Sequence, residues 1–152
     1  MTTSESQELP VTYADIERAR ERIDDHTVVK QTPVERSSSL DDFVGGEVYL
    51  KMEHLQWTGS FKTRGAYNKI RQDVDRGVDE FIAASAGNHA QGVALAASKC
   101  GAESTIFMPK DAPQAKVEAT RGYGATVELV GKDFRETMGR AKEAVEDTDA
   151  EF

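Results

Sequence analysis

The chain has 152 residues, of which 38% are hydrophobic and 30% are charged. This balance is typical of a folded globular domain and argues against a disordered chain or an integral membrane protein. The 19 basic and 27 acidic residues give a net charge of −8, so the chain lacks the basic surface that nucleic-acid binding requires. We therefore expect a protein that binds neither nucleic acid nor a membrane.

The acidic composition allows two interpretations. It can serve solubility alone, or it can reflect a high-salt cytoplasm, where acidic surfaces are common. If the stability of the folded chain depends on high salt, the high-salt interpretation is favoured. Full stability in low salt excludes it. The one cysteine, Cys100, cannot form an internal disulfide and fits a reducing cytoplasm, and its apolar neighbours predict a buried packing role.

The N-terminal part of the chain predicts a flexible leader followed by a helix. Residues 1–11 are polar and carry acids instead of the basic start of a signal peptide. Thr12 and Asp15 match a capping box, and apolar residues three and four positions apart extend the helix over residues 13–25. A second, short helix is expected to begin at residues 37–39.

Predicted strands and helices alternate through the rest of the chain. After a strand over residues 48–52, the predicted helices cover residues 60–76, 88–100, 111–122 and 134–147, and the predicted strands cover residues 81–84, 105–108 and 125–130. This βαβαβα order predicts an α/β fold with mainly parallel sheets and flanking helices. Ligands of such sheets bind beyond the carboxyl ends of strands, near the starts of helices.

The segment QWTGSFKTRGA, residues 56–66, places Lys62 in the first turn of a predicted helix. The start of a helix carries partial positive charge, so an ammonium there is unfavourable and a neutral amine is favoured. A neutral lysine amine is the form that reacts with carbonyl groups. The residues alone also fit an ordinary solvated lysine on an exposed helix face.

The segment FIAASAGNHAQG, residues 81–92, runs from a short apolar strand into an alanine-rich helix. Free backbone amides at such a helix start bind anions, and Gly87 lets a ligand approach the backbone closely. Ser85 adds a hydroxyl, and Asn88 adds an amide that can face a phenolic oxygen. Ordinary helix capping by Ser85 or Asn88 is the alternative interpretation, and His89 alone fits packing or hydrogen bonding.

A third segment, MPKDAPQAK, forms a loop and helix start at residues 108–116. Its two prolines indicate a structural role, although Lys110 or Lys116 could attract anions weakly. Metal binding is not expected, because one cysteine and three separated histidines do not make a structural zinc site.

Together these segments resemble the serine/threonine dehydratases. TGSFKxRGA at residues 58–66 is similar to their pyridoxal-phosphate attachment sequence, and SAGNHAQGVA at residues 85–94 is similar to their substrate loop. The separation of Lys62 and Ser85, 85 − 62 = 23 residues, also suits this family. MP at 108–109, KVEATR at 116–121 and YGA at 123–125 resemble the next conserved stretches of the same family.

The resemblance implies a fold-type-II pyridoxal 5'-phosphate enzyme, similar to the β subunit of tryptophan synthase. Lys62 would hold the cofactor as an imine and later remove the α-proton of the substrate, Phe61 would flank the cofactor ring, and Asn88 would bond its 3-hydroxyl oxygen. The substrate carboxylate would be held by Ser85, Gly87, Asn88 and His89. The implied activity is a cytoplasmic threonine ammonia-lyase that converts L-threonine to 2-oxobutanoate and ammonia for isoleucine synthesis.

Ala86 favours elimination over racemisation within the resemblance. Similar racemases carry a hydroxyl residue at this position to act on the opposite face of the α-carbon, and Ala86 cannot exchange a proton. A serine dehydratase or a serine racemase of the same fold remains the alternative. A non-catalytic piece that needs a separately encoded second half is the alternative of another class.

The resemblance also implies a truncated catalytic domain, because members of the family are longer and carry a glycine-rich phosphate cradle further along. Residues 12–80 would be a piece of the larger cofactor-binding domain, and residues 81–152 would be the smaller, mobile domain. The chain by itself is then expected to show little or no turnover. A full-length form is expected to be a homo-oligomer.

Overall fold

A computed structural model describes residues 10–152, so residues 1–9 of the predicted leader lie outside the described part of the chain. The helices are α1 (Tyr13–Arg22), α2 (Ser38–Val44), α3 (Lys62–Val74), α4 (Asn88–Cys100), α5 (Gln114–Gly122) and α6 (Phe134–Glu146). The strands are β1 (Val34–Arg36), β2 (Tyr49–Lys51), β3 (Glu80–Ala84), β4 (Glu103–Met108) and β5 (Thr126–Leu129). A short 3-10 helix covers Glu53–Leu55.

The capping box predicted for the first helix is confirmed. The Thr12 hydroxyl accepts a bond from the Asp15 amide at 3.3 Å, and the Asp15 carboxylate accepts one from the Thr12 amide at 2.8 Å. The helix ends three residues before the predicted residue 25, because the Asp25 carboxylate accepts bonds from the amide and hydroxyl of Thr27. Such a local turn competes with the helical pattern.

The predicted parallel sheet is confirmed in the order β3-β4-β5. The predicted strand at residues 48–52 also forms, as β2, but it pairs antiparallel with β1 in a separate two-stranded sheet. Strand β1 was not predicted, because its three residues are exposed and show no apolar alternation. The sheet that carries the candidate site is therefore the one with three parallel strands.

Helices cover both faces of the parallel sheet. Strand β3 shows why, since Phe81 and Ala83 belong to one buried cluster while Ile82 and Ala84 belong to the other, as alternation along a strand requires. The larger cluster contains buried residues of α3 and α4, and the smaller contains Ala141 of α6. The larger cluster thus includes residues from both sides of the predicted boundary at residue 80, and the mobility of one side relative to the other stays a prediction.

The other helix boundaries lie within three residues of the predicted ones. The predicted helix 88–100 is confirmed at both ends, with Gly101 as a left-handed cap at φ +73°. Helix α3 begins at Lys62 instead of residue 60, and α5 begins at Gln114, so Pro113 precedes that helix instead of lying in its first turn. Cys100 is half-buried against the larger cluster, and burial raises the pKa of its thiol. Over residues 10–152, every helix is too short or too polar to cross a bilayer.

Gly131, in the turn between β5 and α6, provides a test of this packing. Its φ is +73°, and a methyl group there would lie 2.9 Å from the Glu136 Cβ and the Thr137 amide. Gly45 has a similar φ of +71° with nothing within 4 Å of the same methyl position, so it is a matched control. We expect Gly131→Ala to lower the free energy of unfolding by about 3 kcal/mol and Gly45→Ala by about 1 kcal/mol.

Urea unfolding of the two variants measures the difference. Equal losses at the two positions would contradict the close packing of Gly131 against the first turn of α6.

Candidate functional site

The start of α4 lies at the carboxyl end of β3, where the sequence predicts an anion site. The Ser85 amide donates to the Phe107 carbonyl at 3.0 Å, which fixes the end of the strand, and the Gly87 amide donates to the Ser85 hydroxyl at 3.2 Å. Gly87 is the residue before the helix, and within the described part of the chain no side chain caps α4. Neither Ser85 nor Asn88 therefore caps the helix, as the alternative interpretation required. The first amides of α4 remain available to an anion.

Lys62 is the first residue of α3 and so lies in the first turn of the helix, as the sequence predicts, and its side chain is exposed. Its amide donates to the Ser60 hydroxyl at 3.4 Å, and its Nζ lies 5.3 Å from the centre of the Phe61 ring. Phe61 is 59% exposed. An accessible amine thus stands beside an accessible aromatic face, which is an arrangement that can flank a planar ring.

The two predicted segments meet where α3 packs against α4. Helix α4 approaches the backbone of Lys62 so closely that a methyl group added at Gly92 would lie 3.2 Å from the Lys62 carbonyl. The pKa of His89 is lowered, first by partial desolvation of its ring, although the residue is exposed overall, and then by the charge of Lys62. The imidazole in the first turn of α4 therefore favours its neutral form beside Lys62.

Asn88 has a partner that the sequence indicated only weakly. The Lys116 Nζ, from the first turn of α5, donates to the Asn88 Oδ1 at 3.4 Å. This contact brings a cation to the start of α4, next to the free amides. Lys110, the other candidate of that segment, is placed differently, since its amide donates to the Gly131 carbonyl.

A polar network fixes the residues around Lys62, and sequence reasoning missed it. The Arg64 guanidinium donates to the two carboxylate oxygens of Glu53 at 2.9 and 2.8 Å, and the Thr32 hydroxyl donates to Glu53 at 2.6 Å. These bonds, with that from Arg64 the strongest, lower the pKa of Glu53 to about 2. In turn, the hydrogen bonds to Glu53 and the negative charge of Glu53 raise the pKa of Arg64.

The loop before Lys62 is held by further bonds. The Gln56 side chain accepts from the Lys30 amide at 3.0 Å and donates to the Lys30 carbonyl at 2.9 Å. The buried hydroxyls of Thr58 and Thr63 lie 2.8 Å apart. Such paired bonds limit the conformations that residues 56–63 can adopt.

Two contacts attach Trp57 to the rest of the molecule. The Tyr123 hydroxyl, at the end of α5, donates to the Trp57 carbonyl at 2.7 Å. The Lys30 Nζ lies 3.8 Å from the centre of the Trp57 ring, which is a cation–π distance. The Lys62 loop is thereby joined to α5 as well as to α4.

The fold and the site together define an α/β protein in which two packed helices bring a lysine close to an uncapped helix start. Residues 26–152 match the family described as "Pyridoxal-phosphate dependent enzyme". The chain belongs to this family, which confirms the fold-type-II expectation and the cofactor of the family. Over the described residues, no cluster of three or more His, Cys, Asp or Glu side chains could hold a metal ion.

Relatives of this chain are known. It is 51% identical over 129 residues to the L-threonine dehydratase catabolic TdcB of Staphylococcus aureus, covering 84% of this chain and 37% of that protein. It is 49% identical over 146 residues to the L-threonine ammonia-lyase of Thermotoga maritima, covering 93% of this chain and 35% of that protein. A solved pyridoxal 5'-phosphate-dependent aspartate racemase matches with a TM-score of 0.86 and 33% identity, over 95% of this chain and 45% of that chain. The chain thus spans little more than a third of the length of these two curated relatives.

The pKa of Glu53 predicts a contribution to stability that acid removes. Because the pKa is lower in the folded chain than the ordinary value of 4.5, this stabilisation is present above that value and is lost as the pH falls toward about 2. The Glu53 and Arg64 side chains are 18% and 30% exposed, so solvent screening reduces the effect, and we expect about 1–2 kcal/mol.

Urea unfolding of the unsubstituted chain and of Glu53→Gln, at about pH 7 and about pH 3, measures this contribution. Glu53→Gln is expected to be less stable at the higher pH and to show a smaller loss on acidification. Glu47→Gln is the control, because Glu47 also pairs with an arginine, Arg36, but is 61% exposed. An unchanged pH dependence in Glu53→Gln would contradict the assignment.

Proposed function

We propose that this chain belongs to a threonine ammonia-lyase, which removes water from L-threonine and yields 2-oxobutanoate and ammonia. The observation that carries the proposal is the contact between α3 and α4, which packs Lys62 against Gly92, one turn from the uncapped start of α4, and brings its charge close to His89. The names of the two curated relatives, both threonine-consuming enzymes, support the same substrate.

In this proposal the residues around Lys62 hold the cofactor. The Lys62 amine would hold the cofactor through its aldehyde carbon, Phe61 would lie against the ring, and Asn88 would bond the ring's phenolic oxygen. The exposure of Lys62 and Phe61 and the position of Asn88 in the first turn of α4 fit these roles. When bound, pyridoxal 5'-phosphate supplies an electron sink for the α-carbon of the substrate.

The start of α4 is proposed to hold the substrate carboxylate. The carboxylate would accept bonds from the Ser85 hydroxyl and from the amides of Asn88 and His89, with Gly87 allowing the approach. Lys116 adds positive charge at the same place through its contact with Asn88. A neutral His89 can bond the substrate without adding a second cation beside Lys62.

Lys62 is proposed to move the proton of the reaction. Once the substrate's amino group has replaced it on the cofactor, the Lys62 amine would be free to take the α-proton, and this proton would be available to the β-hydroxyl, which leaves as water. The product hydrolyses to the 2-oxo acid and ammonia. Ala86 lies between Ser85 and Gly87 without a group that exchanges protons, and this favours elimination over racemisation.

A serine dehydratase or serine racemase is the second candidate, because the fold alone does not separate these reactions. The aspartate racemase of similar structure shows that racemases share this arrangement of elements.

A role in isoleucine synthesis, a cytoplasmic location and a homo-oligomeric full-length form remain predictions, as does the division at residue 80. The name of the Staphylococcus aureus relative describes that protein as catabolic.

Attachment of the cofactor is the direct test of the site. Pyridoxal phosphate added to the purified chain is expected to form a covalent adduct with a new absorbance band, because the Lys62 amine is accessible. Lys62→Ala is expected to lose the band, and Lys142→Ala, which removes an exposed lysine of α6, is expected to keep it. An adduct that survives in Lys62→Ala and disappears in Lys142→Ala would contradict the proposal.

The substrate is tested on the same adduct by titration with amino acids. L-threonine is expected to displace Lys62, seen as a change of the band, at a lower concentration than L-serine. Any product formed is identified as 2-oxobutanoate, pyruvate or D-serine. Preferential response to L-serine, or formation of D-serine, would replace the proposal by the second candidate.

A further inference from the structure

Helix α4 contains one glycine, Gly92, in a helix otherwise rich in alanine. Glycine in the middle of a helix costs stability relative to alanine, because it has more backbone freedom to lose on folding. Four alanines of α4 are fully buried, so the helix accommodates Cβ atoms at other buried positions: Ala90, Ala94, Ala96 and Ala97. Gly92 therefore needs a reason that is specific to its position.

The reason lies in what a methyl group at Gly92 would meet. It would lie 3.2 Å from the carbonyl carbon of Lys62, 3.2 Å from its carbonyl oxygen and 3.4 Å from its Cβ. Two of these atoms are backbone, and they cannot move away as the tip of a flexible side chain can. In the α-helical pattern the Lys62 carbonyl also accepts a hydrogen bond from the Ala66 amide, so a shift of this carbonyl disturbs a bond in the first turn of α3.

The face of α4 that carries Gly92 also carries Asn88. The two residues are four positions apart and so lie one above the other on the helix. Asn88 stands at the open end of this face, beside the free amides, and Gly92 touches Lys62 one turn further along. The separation between Lys62 and Asn88 is therefore set by how closely α3 approaches α4 at Gly92.

We propose that Gly92 is a positioning residue that sets the distance between the Lys62 amine and the anion-binding start of α4. This inference rests on the function proposed above, because it assigns to Gly92 the alignment of the two groups that hold cofactor and substrate. Gly92 acts through Lys62 and touches neither cofactor nor substrate. The added Cβ of any other residue would push Lys62 and the start of α4 apart.

The proposal is tested with Gly92→Ala and two matched variants. Gly139→Ala makes the same change in the middle of α6, where nothing lies within 4 Å of the new methyl group, so it is expected to raise the melting temperature. Ala96→Gly removes a Cβ one turn beyond Gly92 and is expected to lower the melting temperature without moving Lys62. Gly92→Ala is expected to lower the melting temperature, although alanine favours the helix.

The readout that separates positioning from stability is the affinity for pyridoxal phosphate. Gly92→Ala is expected to raise the dissociation constant of the Lys62 adduct about tenfold or more, since small displacements of reacting groups have large effects. Ala96→Gly and Gly139→Ala are expected to leave it unchanged. A folded Gly92→Ala chain that binds pyridoxal phosphate as tightly as the unsubstituted chain would overturn the proposal.

Two measurements without cofactor keep the inference separate from the proposed function. In the unsubstituted chain, a nuclear Overhauser effect is expected between the α protons of Gly92 and the β protons of Lys62, and its absence overturns the proposal even if Gly92→Ala does not fold. In the folded variant, the amide resonances of Lys62 and Ala66 are expected to shift, whereas Gly139→Ala leaves them in place. If no adduct forms in the unsubstituted chain, the proposed function fails while these two measurements still decide the role of Gly92.

Discussion

The close contact of α3 with α4 is the constraint on which the site depends. Helix α3 begins at Lys62, and α4 begins at the end of a buried parallel strand, so their mutual packing brings a lysine to a row of free backbone amides. The contact is made at Gly92. Because Gly92 has no Cβ, the backbone of Lys62 can approach the backbone of α4 closely at this position. The alanines of α4 and the buried apolar residues of α3 belong to one hydrophobic cluster.

The charges around this contact follow from the same geometry. The uncapped helix start favours an anion, and Lys116 adds a cation beside Asn88. His89 is held toward its neutral form by partial desolvation of its ring and by Lys62, so it does not add a further charge. The Glu53–Arg64 pair restrains the residues next to Lys62 by bonds internal to the protein.

Much of this arrangement could be predicted from sequence, because it depends on local patterns. The parallel strands, α4 with its glycine cap, and the placement of Lys62 at a helix start all follow from periodicity and capping residues. Strand β1 could not be predicted, since it is held by pairing with β2 and not by its own side chains. The end of α1 was misplaced because a side-chain turn at Asp25 is invisible to apolar spacing.

The parts of the site that sequence missed depend on contacts between distant residues. Arg64 donates to Glu53, which lies eleven positions earlier in the chain, and Lys116 donates to Asn88, which lies twenty-eight positions earlier. Gly92 is recognisable in the sequence as the one glycine of an alanine-rich helix. The reason for a glycine there is the nearby Lys62 backbone, which the sequence does not reveal.

The central claim, that Lys62 and the start of α4 form one site, is tested most directly by trapping. Pyridoxal phosphate at substoichiometric concentration is reduced onto the chain with borohydride, and the labelled peptides are mapped by mass spectrometry. The chain has nine lysines, and several others are exposed, as Lys62 is. The account predicts that the label concentrates on Lys62 and that Asn88→Ala reduces this preference, whereas label spread over the exposed lysines in proportion to their accessibility would contradict it.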